Sequence, residues 1–422
     1  MSEQSIEANT STRVRIIHLA DNSGKLQVIF AYDSMLDMAA LSRLTKRRFD
    51  PVANYNIEGD PLVKPNTCST IIDSSLLTSD VIELRSSATQ SYKSYTQEEF
   101  TSRFKGPLTR YERIAIPVSK IECPVDDLNQ DAAQMQAALG KFQSMRLQQR
   151  LEETLEVPPL PASSHRIIQL CSDENAGTDD LCDVISLDPS LSAQVISWAS
   201  SPYYGVQGEI DSVEDAIIRV LGFDMVMNLA LGLSMGNAFQ LPKNGPRHYN
   251  DFWFSAVSHA VLMEELVRKM PSGDRPRLGH AYLAGLLHNF GYLAIAVVLP
   301  PHFGILSRYI EANAHLPSEI IEMQTLHFTK EQLGAWLLKH WGLPESIYTA
   351  VRYSKTISYE GQHNKLAHLL YLCHQLFNDD KLDPGILNVL NLTLDEAKLC
   401  HKKVMSSSSE LTKMVGLISG NK

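Results

Sequence analysis

Residues 285–293 read GLLHNFGYL, an apolar run broken at its middle by His288 and Asn289. A His followed by an Asp on a buried helix would begin a divalent-metal site, because the carboxylate adds charge and can bridge two ions. An Asn amide does neither well, so the pair reads as two polar side chains hydrogen-bonded to each other in a core. The other histidines do not rebuild a site by spacing. His368 and His374 stand six residues apart, a poor ligand interval on a helix. Together with His327, His340 and His363 they read as surface or satisfied core histidines. The six cysteines, Cys68, Cys123, Cys171, Cys182, Cys373 and Cys400, form no CxxC and no Cys/His ligand pattern. Free thiols and a cytoplasmic setting are expected. No catalytic residue, no metal and no cofactor is expected from these residues.

Helices must carry the pair. Beyond residue 161, SSHRIIQLCSD, TDDLCDVISLD, PSLSAQVISWASS, SVEDAIIRVLG and FDMVMNLALGLSMGNAF follow one another with helical period and short Pro-, Gly- or Asp-containing breaks. Further helices are expected over 251–270, 278–298, 301–314, 317–326, 329–341, 344–353, 364–378 and 394–405. Asp188-Pro189-Ser190 is a helix start, with Asp capping the first amides and Pro in the first turn. Residues 126–156, rich in Gln, Ala, Leu and Glu, read as a long connector helix stopped by VPPLP. Upstream, VRIIHLAD (14–21) and KLQVIFAYD (25–33) flank NSG as a hairpin, and SMLDMAALSRLTKRRF (34–49) has a helical pattern. STIIDSSLL and DVIELRSS supply two more strands, and Thr96 with Glu98 and Glu99 opens a short helix. The expected fold is α+β multidomain. A small α/β domain covers 1–120, a connector helix 121–156, a large all-α domain 157–380, and a helical extension and tail 381–422.

Charge narrows the partners. The first 120 residues carry 15 Lys+Arg against 14 Asp+Glu, and the remaining 302 carry 23 against 34, a surplus of −11 in the helical part. A nucleic-acid binder needs a basic face, so DNA binding is not expected. AYLAGLLHNFGYLAIAVVLP (281–300) is long enough to span a bilayer, but a His and an Asn at mid-depth would be costly there. No membrane segment is expected.

VPPLPASSHRIIQL, DVISLDPSLSAQVISWASSPYYG and EIDSVEDAIIRVLG, followed in order by DFWFSAVSHAVLMEEL (251–266), GLLHNFGYL and LGAWLLKHWGLPESIYTAV (333–351), closely resemble the HDOD family. These proteins are bacterial regulatory relatives of HD-type metal phosphohydrolases. The resemblance implies a helical domain in which, among active relatives, the His-Asp pair joins other His and Asp ligands around one or two divalent ions. Carried onto this chain, a ligand His near the Trp of 251–266 falls at Ser255, with His259 one turn on as a substitute. The His expected before LGA falls at Lys330, whose ammonium repels a cation. Paired histidines after LPESIYTAV fall at Tyr353 and Ser354. Ser255, His259, His288, Asn289, Lys330 and Tyr353 thus mark a pocket whose metal ligands are replaced.

GKLQVIFAYDSMLDMAALSRL, CSTIIDSSLLTSDVIELRSS and TQEEF are similar to the YbaK/ProX type of aminoacyl-tRNA deacylase-like domain, over about 13–106. Active members of that type use a Lys upstream of the strand pair, and MSEQSIEANTST holds none. GDPLVKPN (59–66), with Lys64, is the nearest counterpart of the pocket loop, and TKRR (45–48) is the one basic cluster, read as a solvated helix end. Neither tRNA binding nor deacylation is expected.

The combined expectation is a non-catalytic regulatory protein of bacterial signal transduction, with a degenerate HD-type domain as interaction or ligand-sensing module. Its partners would be unidentified signalling proteins of nucleotide-second-messenger or two-component circuits. The competing expectations are a metal-dependent phosphohydrolase acting on a nucleotide or cyclic dinucleotide and, behind it, a tRNA-editing deacylase.

Overall fold

A computed structural model describes residues 11–52, 69–85, 92–122, 127–141, 160–171, 173, 175–238 and 252–419. The chain divides into two compact units: residues 1–124 with 304–327, and residues 125–303 with 328–422. Residues 304–327, which the helical pattern alone places with the all-α domain, therefore belong to the N-terminal unit.

The strands are β1 (Ser11–Asp21), β2 (Gly24–Ala31), β3 (Ser34–Leu36), β4 (Asp50–Pro51), β5 (Ser69–Asp73), β6 (Val81–Arg85), β7 (Tyr92–Thr96), β8 (Thr109–Glu112) and β9 (Ala115–Pro117). The helices of the N-terminal part are α1 (Met38–Thr45) and α2 (Gln97–Arg103). The main sheet runs β7-β6-β1-β2-β5-β8, with β4 paired to β1. The expected hairpin is present: β1 and β2 pair antiparallel from Asp21↔Gly24 to Val14↔Ala31. The pairs β1/β6, β2/β5 and β5/β8 are parallel, so the sheet is mixed.

Side chains alternate across the pleat of β2. Val28 and Phe30 pack with Leu41 and Ala312, whereas Ile29 and Ala31 pack with Phe100 and Phe104 of the α2 end. Both faces of the sheet are thus covered. Thr96 caps α2 reciprocally with Glu99, as the sequence suggests. Residues 34–49 are not one helix. Ser34–Leu36 pair with β9, and α1 starts only after Asp37, whose side chain accepts from the Ala39 and Ala40 amides at 2.9 and 3.0 Å. The TKRR run closes α1: Lys46 takes a left-handed φ of 58°, and Arg47 grips the Asp21 carboxylate. Lys64 and the 59–66 loop lie outside the described residues.

Asn313, with 0% exposure, ties the inserted segment to β3. Its Oδ1 accepts from the Leu36 amide at 2.7 Å, and its Nδ2 donates to the Leu36 carbonyl at 3.2 Å. Leucine at 313 would leave both buried backbone groups unpaired, at roughly 1–3 kcal/mol each. All four tryptophans, 198, 253, 336 and 341, belong to the other unit. Asn313→Leu should therefore lower the melting temperature of a circular-dichroism transition while leaving the tryptophan-fluorescence transition in place. Coincident shifts in both signals would contradict this assignment.

The second unit is helical: α3 (Asp131–Lys141), α4 (Ala162–Cys171), α5 (Thr178–Ser186), α6 (Pro189–Ala199), α7 (Phe223–Ala238), α8 (Phe252–Lys269), α9 (Leu278–Leu287) and α10 (Phe290–Val298). In chain order α11 (Pro300–Ala312) and α12 (Ser318–Leu326) come next, lying in the N-terminal unit from residue 304 on. The helical unit resumes with α13 (Lys330–His340), α14 (Glu345–Arg352), α15 (Asn364–Phe377), α16 (Pro384–Val389), α17 (Leu394–Ser406) and α18 (Ser408–Ser419). Asp188 caps α6 as expected, accepting from Ser190 and Leu191 at 3.1 Å each. Of the connector helix read over 126–156, α3 is described and 142–156 lie outside the described residues. Burial locks α3 in place. Asp131 takes a bidentate pair from Arg352, Nε at 2.5 Å and Nη2 at 3.0 Å, and a further bond from Gln332 at 2.9 Å. Gln332 also closes the capping box of α13 with Thr329.

Candidate functional site

The 278–298 run is two helices rather than one, and it breaks at the polar pair. α9 ends at Leu287, with His288 as its C-cap, and Asn289 (φ −99°, ψ 11°) precedes α10 without a side-chain cap bond. The pair does not hydrogen-bond to itself, contrary to expectation. His288 Nδ1 donates to the Gly285 carbonyl at 2.7 Å, and its ring is buried, while Asn289 is only half-buried. A carbonyl three residues back satisfies the imidazole locally.

Close helix contacts bring a second ring onto His288. A Cβ on Gly285 would stand 2.6 Å from the Ala260 Cα and 2.8 Å from the His259 carbonyl carbon, so only glycine lets α8 and α9 approach this closely. His259 therefore stacks on His288 with centroids 4.0 Å apart and 21° between planes. Its Nδ1 donates to the Ser255 carbonyl of the preceding turn of α8 at 2.8 Å, and the Ser255 hydroxyl stands 3.4 Å away.

His374 on α15 completes the group. Its Nδ1 lies 3.3 Å from His259 Nε2, and its ring centroid is 5.3 Å from that of His288. One ligand atom from each of His259, His288 and His374 lies within 4.8 Å of the other two. Phe377 stacks on His259 at 4.4 Å and walls one side. Spacing along α15 set His374 aside, because its partners are on α8 and at the end of α9. The signal that marked His288, a histidine inside an apolar run, was present in LLYLCHQLF as well.

Desolvation disfavours the charged form of all three imidazoles, His259 and His288 being buried and His374 half-buried. Desolvation is the leading cause at each: it lowers His259 to about 4 and pushes His288 and His374 well below the ordinary histidine value. The Lys355 and Lys330 ammoniums act in the same direction at all three rings. Lys330 is ion-paired with the buried Glu331 and stands over the Tyr292 ring at 5.4 Å. A Cβ on Gly291 would lie 1.9 Å from the Lys330 carbonyl oxygen, so α10 and α13 meet backbone to backbone there. Tyr353 serves elsewhere. Its hydroxyl accepts from the Leu128 amide at 3.2 Å, and its ring stacks on Tyr359 at 3.8 Å.

A Mg²⁺ or Mn²⁺ centre of the hydrolytic HD kind does not fit this donor set. Those ions take oxygen ligands and, in pairs, a bridging carboxylate. Among the described residues no Asp or Glu joins the three histidines, and Asn289 offers no charge.

Comparison with known proteins agrees with this architecture. The HDOD domain family model matches residues 157–357. A solved protein of Marinobacter aquaeolei VT8, provisionally named a signal transduction protein, is similar over 99% of this chain and 95% of its own, at 34% identity and a TM-score of 0.85. An HDOD domain protein of unknown function from Geobacter sulfurreducens is similar in fold at 20% identity, covering 64% of this chain and 97% of its own, with a TM-score of 0.51. A provisionally named phosphohydrolase of Shewanella amazonensis SB2B aligns with 65% of this chain and 99% of its own at 21% identity and a TM-score of 0.52. An uncharacterized protein of Treponema pallidum (strain Nichols) is 21% identical over 210 residues, half of this chain, which spans 40% of that curated relative's length. No helix among the described residues is long and apolar enough to cross a membrane. Helical motifs, domain match and full-length relative converge: the chain belongs to the HDOD family.

Proposed function

We propose that this chain is a regulatory protein of bacterial signal transduction whose helical unit senses a ligand or docks a partner instead of hydrolysing phosphate esters. The observation that carries this reading is the all-imidazole composition of the His259–His288–His374 group, which no carboxylate among the described residues joins. Hydrolysis of a phosphate ester at a metal pair needs an oxygen-rich ligand set and a bridging group to hold two ions. The full-length resemblance to a protein provisionally named for signal transduction supports the same reading. The N-terminal unit then acts as sensor or second docking surface, and the partners are signalling proteins of nucleotide-second-messenger or two-component circuits.

Turnover is the direct test. Purified protein, supplied in turn with Mg²⁺, Mn²⁺ and Fe²⁺, should hydrolyse nucleotides and cyclic dinucleotides no faster than His288→Ala does. Metal-dependent turnover that disappears in His288→Ala would overturn the proposal in favour of a phosphohydrolase.

A further inference from the structure

The group that is wrong for magnesium is well matched to another class of ion. His259 and His288 each commit Nδ1–H to a backbone carbonyl, at 2.8 and 2.7 Å, which fixes the tautomer with the lone pair on Nε2. Metal-ligating histidines are held in this way, the far ring nitrogen donating to a carbonyl or carboxylate. His374 meets His259 Nε2 through Nδ1, and its donor hydrogen can pass to Nε2 by a change of tautomer.

We propose that His259 Nε2, His288 Nε2 and His374 Nδ1 form a three-imidazole site for one borderline divalent transition ion of the Zn²⁺, Co²⁺ or Ni²⁺ class, selected against Mg²⁺ and Mn²⁺. Imidazole nitrogen suits these ions, whereas Mg²⁺ and Mn²⁺ favour oxygen. The distances fit. Tetrahedral Zn²⁺ with bonds of about 2.0–2.1 Å places its nitrogens roughly 3.3–3.4 Å apart. The His259–His374 pair stands at 3.3 Å, and no ligand atom lies more than 4.8 Å from another. Closure of the remaining separations therefore needs a movement of at most about 1.5 Å, within the reach of an imidazole rotation.

This assignment rests on the ligand-sensing reading and names the ligand. The two can fail separately, because turnover tests that reading and binding tests this one. Full-length protein stripped with a chelator should take up one Zn²⁺ or Co²⁺ per chain and gain thermal stability, with no response to millimolar Mg²⁺ or Mn²⁺. The Co²⁺ form should show the intense visible absorption of a four-coordinate nitrogen site. His374→Leu should weaken Zn²⁺ by more than the roughly 10–100-fold that loss of a supporting outer-shell group costs, whereas His368→Gln, off the site, should bind as the parent does. If His374→Leu does not fold, the Co²⁺ spectrum of the parent decides alone. A weak octahedral spectrum, equal response to Mg²⁺, or Zn²⁺ uptake that survives in folded His374→Leu each overturns the assignment.

Discussion

Taking the metal-free protein from pH 7 to pH 5 should strip several kcal/mol of stability from the helical unit. The cause is the buried imidazole group. In the folded state His259 titrates at about 4, and His288 and His374 lie well below their ordinary value, all three chiefly because burial disfavours the imidazolium. In the unfolded chain each would accept a proton near pH 6.5. Above that pH both states are neutral and the full stability is present. As the pH falls through 6.5 the unfolded state takes up protons that the folded state refuses, so stability is lost. The loss for His259 ends near its folded value of about 4, and spans roughly 3 kcal/mol. Each of the other two adds up to about 1.4 kcal/mol per pH unit while it resists protonation. Urea midpoints read by tryptophan fluorescence at pH 7.5, 6 and 5 would measure the slope, and His374→Leu should flatten it. Midpoints independent of pH over that range would show that the group is solvated.

Asp131→Ala should cost the helical unit about 3–5 kcal/mol, the usual penalty for stranding one member of a buried ion pair. Arg352 is 4% exposed and Asp131 2%, so neither charge can turn to water when its partner is lost. Gln332 would lose its acceptor at Asp131 as well, although it keeps Gln134 at 2.7 Å. Replacing both members, Asp131→Leu with Arg352→Met, should recover most of the loss, since an apolar pair of similar volume is often neutral. Denaturant midpoints of the single and double variants close the cycle. A loss below about 1 kcal/mol for Asp131→Ala would mean that water reaches the pair.

Local chemistry made much of this fold legible. Thr96 with Glu99, and Asp188 with Pro189, are capping signals whose partners lie within three residues, so the sequence displays the whole interaction. The NSG hairpin is local in the same sense. What stayed hidden depends on partners far along the chain. β3 reads as the start of a helix because its pairing strand lies some eighty residues away, at 115–117. The 304–327 segment has the same helical period as its neighbours, and periodicity does not say which core a helix joins. His374 looked inert because a ligand set assembled from three helices has no characteristic spacing. Asn289 reads in the sequence as an uncharged residue beside His288, but only coordinates could show that an imidazole from α15 comes in next to His288.

The discontinuous N-terminal unit also bears on the order in which the chain acquires structure during synthesis. The Leu36 amide waits for an acceptor 277 residues downstream. At roughly 5–20 residues per second, a ribosome takes some 14–55 seconds to supply it. The usual sequence, in which the first domain folds before the second is made, is therefore closed to this protein. Its N-terminal sheet must persist with one face incomplete until most of the helical unit has emerged.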